Sequence, residues 1–269
     1  MAPHGTGTWV YAVASAIPRD ALADVAGVGG NSVRALEAGG LAAAVETVSL
    51  EDFGEQPLRE HLEDLDWLDK TARLHHQVVG VVAGHGPVVP MRLALVFRDD
   101  DGVARMLAER RGDFAASLER VTARVEWGVK VYALPERRAE PKHEVEAGSQ
   151  SPGLAYLNRR RAELAKRDAE VQADVAAAEQ VHAELQALAA AAQLRPPQHP
   201  RLAGRSERNI LNGAYLVDVE RADEFAAAVR RLAARYGDLR VELTGPWPPY
   251  SFAAAPELAA MTGGLDDAR

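Results

Sequence analysis

The stretch from Leu154 to Leu194 contains neither glycine nor proline and is rich in Ala, Glu, Gln and Arg. These are strong helix formers, so the run reads as helix from end to end. Leu157, Leu164, Val171, Ala178, Leu185 and Ala192 recur every seven residues along it and make one apolar seam. The companion seam is spoiled, because Leu154, Arg161, Asp168 and Val175 differ in character. One good seam and one poor one predict a helix packed along one side, coiled-coil-like without being a self-sufficient zipper. Unbroken, it extends on the order of 60 Å at about 1.5 Å per residue, more than a compact domain is wide. It either bends back as a helical hairpin or projects, and the fold has to carry it as an insertion.

The chain around it has 269 residues, 47% hydrophobic and 26% charged, values of a globular protein with one large domain or two smaller ones. A net charge of −8 argues against nucleic acid as the main partner, since phosphate binding needs a basic face. The absence of cysteine removes disulfides, thiolate catalysis and zinc–sulfur sites. Met1–Thr8 has no basic cluster or apolar run, and the apolar stretches Val78–Ala83 and Val88–Leu95 are too short to cross a bilayer. A cytoplasmic protein without membrane insertion is expected.

Thr8–Ala14 is β-branched and aromatic and reads as a buried strand. Pro18 opens a short helix through about Val25, and Gly27, Gly29 and Gly30 break it. A phosphate-binding loop would need a helix start after these glycines, whereas a strand follows, so a helix C-cap and turn is the preferred reading. Val33–Leu36 and Leu41–Val48 form a hairpin about Ala38-Gly39-Gly40. Pro57 opens one long amphipathic helix with Leu58, Leu62, Leu65, Leu68, Ala72, His75 or His76, and Val79 on its inner face. Val88–Phe97 reads as a central strand, Asp99–Gly102 as a turn, Val103 to about Val125 as a helix and Trp127–Leu134 as a strand. Residues 135–153 read as a mobile loop. After the long run come a strand at Asn209–Val219, a helix at Asp223–Tyr236 and a closing strand at Leu239–Leu243.

Each half therefore follows a β-α-β-β-α-β plan, or a version lacking one strand. The expected fold is α+β: two modified ferredoxin-like domains at 1–124 and 125–252, then a tail at 253–269. The second domain carries the long helical, coiled-coil-like insertion at about 154–194, where its first crossover helix belongs.

Chemistry is sparse. His75 and His76 are adjacent on a helix and point about 100° apart, unlike a metal-binding i, i+4 pair. Asp99-Asp100-Asp101-Gly102 lacks the spaced oxygen ligands of a calcium loop. No catalytic, cofactor or metal site is expected. Arg159, Arg160 and Arg161, with Lys166 and Arg167, make a basic cluster that is either a solvated face paired with Glu163 and Glu170 or a dock for an acidic partner.

The ten residues from Leu243 to Phe252 (LTGPWPPYSF) contain three prolines and three aromatics, in a chain that is 6% aromatic. Almost none of it reads as helix. It either packs back on a domain, the preferred reading, or presents its rings to a partner. Trp247, Tyr250 and Phe252 are thus candidate partner contacts, with Trp67, Arg160 and Arg161. Together with Ile210–Val217 (ILNGAYLV), this stretch resembles the GvpF/GvpL family of gas vesicle proteins. The resemblance implies two modified ferredoxin-like domains, the second with an extended helical element. It also implies a non-enzymatic, gas vesicle-associated role: binding the small hydrophobic shell protein and other gas vesicle accessory proteins, and aiding nucleation or assembly. Gln77 and Leu93-Ala94-Leu95 depart from the family's pattern. The alternatives are a ferredoxin-like enzyme and a small-ligand-binding regulatory module, the latter marked by a well-formed apolar pocket.

Overall fold

The computed structural model describes residues 5–134, 152–196 and 207–253. The loop expected at 135–153 and the tail expected at 253–269 lie almost wholly outside the described residues. Packing divides the chain into two compact units. One takes in residues up to Glu126 together with those from Pro246 on, and the other is Trp127–Gly245. The stretch from Pro246 to Phe252, assigned with the second half from the sequence, packs with the first unit.

In the first unit the sheet runs in the order β2-β3-β1-β4, from β1 (Thr6–Ala14), β2 (Arg34–Ala38), β3 (Leu41–Ser49) and β4 (Val88–Pro90), with β5 (Val96–Phe97) also on β1. All of these pairs are antiparallel. The β2–β3 hairpin turns as expected through Gly39 and Gly40, at φ 61 and 78, conformations of a type I′ turn that glycine adopts without strain. Val88–Phe97 is not one central strand. Met91 N–H still donates to Tyr11 O (2.8 Å) and Val10 N–H to Leu95 O (3.0 Å), but Ala94 sits at φ 67 and β1 shifts register between Val10 and Ala12. The ladder on this side of β1 is thus interrupted between β4 and β5.

The helices are shorter than periodicity alone predicts. Pro18–Val25 makes successive i, i+3 turns, such as Ala21 N–H to Pro18 O at 3.1 Å, because so short a segment does not pay for helix nucleation. The helix expected from Pro57 is split into α2 (Glu55–His61), preceded by α1 (Leu50–Phe53), and α3 (Leu65–Ala83). Asp64 caps α3 by accepting the N–H groups of Asp66 and Trp67, and the break leaves Leu62 and Leu65 in solvent. Likewise α4 (Asp100–Glu109) begins where a turn was expected, because Asp99 accepts Gly102 N–H, and α5 (Arg111–Val121) follows a break at Arg110.

The glycine turn after Val25 encloses an anion of the protein's own. Glu46 of β3 is fully buried and accepts the Tyr11 hydroxyl (2.5 Å), Gly29 N–H (3.1 Å) and Asn31 N–H (2.8 Å). The Tyr11 oxygen in turn accepts Val28 N–H at 2.8 Å. Burial first, then the bond to Glu46, pushes the Tyr11 phenol above its ordinary range.

The second unit is built from β6 (Arg124–Ala133), α6 (Pro152–Gln186), β7 (Ala191–Leu194), β8 (Arg208–Asp218), α7 (Ala222–Arg235) and β9 (Leu239–Trp247), with sheet order β7-β8-β6-β9. The long run is one helix only to Gln186. Its last residues, expected as helix, form β7 antiparallel to β8, from Ala191 opposite Leu216 to Leu194 opposite Gly213. An available ladder overrides the helical preference of Ala and Gln. Phe225, Val229 and Leu232 of α7 are buried, as their spacing predicts. β9 extends past Leu243, and a single turn of helix, α8 (Tyr250–Ala253), follows Pro249. Proline at a helix start loses no hydrogen bond, so this proline-rich stretch ends in a helical turn after all. Among the described residues no helix is long and apolar enough to cross a membrane.

A Cβ at Gly27 would collide with the Glu46 carboxylate and the Tyr11 hydroxyl. Gly27→Ala is expected to cost about 3 kcal/mol in chemical denaturation, whereas Gly80→Ala on open α3 surface is expected to gain about 0.5–1 kcal/mol.

Candidate functional site

The adjacent histidines of α3 take different environments. His75 is buried in the first unit's core. Trp9 Nε1–H donates to its Nδ1 at 3.2 Å, which leaves Nε2–H to donate to Met91 O at 3.1 Å. Both ring nitrogens are thereby used, and desolvation lowers its pKa from 6.5 to about 4, so the ring stays neutral. Among the described residues no group of three His, Asp or Glu side chains is arranged to hold a metal ion.

His76 faces the C-terminal stretch. Its Nδ1 is hydrogen-bonded to the Tyr250 hydroxyl at 3.0 Å, and the Trp247 ring meets it edge-on with centroids 5.2 Å apart. Ser251 anchors the segment by donating its N–H (2.7 Å) and its hydroxyl (2.5 Å) to Glu126, while Arg120 donates to Phe252 O at 3.1 Å. Burial, with the Glu126 charge second, raises the Tyr250 phenol above its ordinary range. Phe252 is 5% exposed and belongs to the core, whereas Trp247 is 42% exposed. One short stretch therefore buries one ring in the core and leaves another partly in solvent.

Trp247 borders an open cleft of about 380 Å³ lined by Gly80 of α3, by Gly84, which caps that helix, and by Pro87, Val121, Arg124 and Pro249. Glycine at two positions one helical turn apart leaves backbone where side chains would fill the space. The cleft is chiefly apolar, with one cationic side chain at its edge, and suits an apolar side chain or small ligand.

The other predicted contacts lie elsewhere. Trp67 is half-buried, stacked on His61 with centroids 4.9 Å apart, and packs on the first core. Arg160 and Arg161 are exposed on α6, Arg160 in a loose pair with Glu163 at 3.5 Å. Trp247 and Tyr250 are brought together by His76, which the sequence offers as one of two candidates for the inner helical face and as half of an unconvincing metal pair. Glu126 gave no signal, being one acid between the expected helix and the strand expected at Trp127–Leu134.

These units and surfaces define a mixed α/β protein of the kind seen in gas vesicle proteins: GvpF of Anabaena sp. PCC7120 has the same fold, with a TM-score of 0.67 at 15% identity over 93% of this chain and 97% of that one. The family model for gas vesicle synthesis protein GvpL/GvpF matches residues 7–254, and the chain belongs to that family. Gas vesicle protein L of Streptomyces sp. strain CB03234 is 42% identical over 93% of each chain. Gas vesicle protein F of the same strain is 28% identical over 91% of this chain and 98% of its own length.

Two outcomes are expected. The unfolded chain protonates His75 near pH 6.5 and the folded chain only near 4, so its contribution is complete above pH 6.5 and falls away toward pH 4. The total is about 3 kcal/mol, and His75→Gln should flatten that part of the pH profile of unfolding. Phe252→Ala should cost about 3–5 kcal/mol, whereas Trp247→Ala should change stability by less than about 1 kcal/mol.

Proposed function

We propose that this protein is a non-enzymatic, cytoplasmic accessory factor of gas vesicle assembly that binds the hydrophobic shell protein and other accessory proteins. The observation that carries the reading is the family match across nearly the whole chain. A physical need agrees with it. A subunit that assembles through exposed apolar surface is prone to aggregate unless a companion covers that surface first. The cleft beside Trp247 supplies an apolar seat with a solvent-facing tryptophan, the residue type that most often anchors interfaces.

We also read both units as modified ferredoxin-like domains. In the second unit the chain order β6-α6-β7-β8-α7-β9 with sheet order β7-β8-β6-β9 supports this. In the first, the equivalent order β2-β3-β1-β4 supports it, with turns in place of the first crossover helix.

Co-expression with the main gas vesicle shell protein, followed by pull-down, tests the function. Capture is expected for the native chain and a drop of about thirtyfold for Trp247→Ala, the size of a hot-spot truncation. Failure of the native chain to capture the shell protein would remove the reading. A small apolar ligand is the second reading, favoured by the cleft's volume of about 380 Å³. Its mark would be a ligand that raises the melting temperature of the native chain but not of Trp247→Ala.

A further inference from the structure

α6 changes character along its length. From Asp174 on it is built into the second unit: Ala178, Val181 and Leu185 are buried, and His182 Nδ1 is hydrogen-bonded to the Tyr215 hydroxyl at 3.0 Å. Asp174 pairs with Arg208, and Glu184 with Arg235. Every side chain from Tyr156 to Ala173 is exposed. The apolar seam nevertheless continues through this half without interruption. Leu157 is 53% exposed, Leu164 47% and Val171 43%, all on the line that Ala178 and Leu185 extend into the core.

Helix formation does not call for those leucines. The anchored half already supplies the nucleus, and alanine would serve propensity better at an exposed site. Single exposed apolar residues are ordinary, but a heptad line of them is the pattern that takes a second helix.

The flanking charges indicate which helix. Residues 156–173 carry five basic side chains (Arg159, Arg160, Arg161, Lys166 and Arg167) against three acidic ones, in a chain of net charge −8. Two of their pairs, Arg160–Glu163 and Lys166–Glu170, are exposed, 3.5 Å long and correspondingly weak. A second copy fits poorly. Parallel pairing on this seam sets Arg161 against Arg161 and Asp168 against Asp168, and antiparallel pairing brings the Arg160 and Arg167 flanks of the two copies together. We infer that the exposed half of α6 is a docking site for an amphipathic helix of another protein, with a leucine-type seam flanked by aspartate and glutamate. The inference is independent of which molecule the cleft beside Trp247 receives.

The test uses the full chain and two labelled synthetic peptides of about three heptads, both with a leucine seam, one flanked by Glu and the other by Lys. Fluorescence anisotropy at low salt should show binding of the Glu-flanked peptide only, weakening as salt is raised. Leu157→Ser/Leu164→Ser should weaken it by about tenfold or more. Arg160→Glu/Arg167→Glu should transfer preference to the Lys-flanked peptide. Both pairs of substitutions lie at exposed positions, so circular dichroism and thermal unfolding should stay native-like, and Trp247→Ala should leave peptide binding unchanged. The inference is overturned if neither peptide binds, or if the serine variant binds as tightly as the native chain. Sedimentation showing self-association that the serine variant abolishes would also overturn it, giving the seam to a second copy.

Discussion

His75 is the joint on which the first unit turns. It takes a hydrogen bond from Trp9 on β1 and gives one to Met91, just past β4, so one neutral ring ties helix α3 to two strands. Its aromatic neighbours Trp9 and Tyr11 lie with ring centroids 6.0 and 5.1 Å away, which leaves little freedom for the helix to rotate. With α3 fixed about its axis, the next residue, His76, has to face outward along a set direction. The C-terminal stretch is placed on the sheet's helical cover through that second ring. The histidine that does nothing at the surface thus decides where the surface lies.

The glycine turn at Gly27–Gly30 illustrates a related economy. Successive N–H groups converging on one point are how many loops hold phosphate. Here the anion is Glu46, carried on the adjacent strand and held by a tyrosine as well. A carboxylate removed from water needs about this many donors to be tolerated. The backbone motif is therefore satisfied internally, and a ligand search guided by glycines alone goes astray.

Much of the fold was legible in residues whose neighbours are local. The Gly39-Gly40 turn and the face of α7 depend on turn chemistry and period, and they stand where the sequence places them. What could not be read were the interruptions, one set by a local cap among look-alike acids and one by a distant strand. Asp64 looks like any acid on a solvated helix face until its carboxylate is seen capping α3, and Ala191–Leu194 looks helical until β8 lies beside it. The candidate site shows the same limit. Three aromatics in a proline-rich run announce that the segment matters, but nothing in their spacing says that Phe252 enters the core while Trp247 stays half in water.

The first unit is discontinuous in the chain: its final pieces, Tyr250 and Phe252, come after everything that builds the second. A ribosome delivers them after the whole of the second unit. Until they emerge, the unit has its sheet and helices but not the side chain that fills the place of Phe252, nor the bond between Tyr250 and His76. The second unit has no such debt to later sequence, since Trp127–Gly245 is complete before Pro246 is made. Order of synthesis and order of completion therefore run in opposite directions. A chain that stops at Gly245 carries a finished second unit and an unclosed first one.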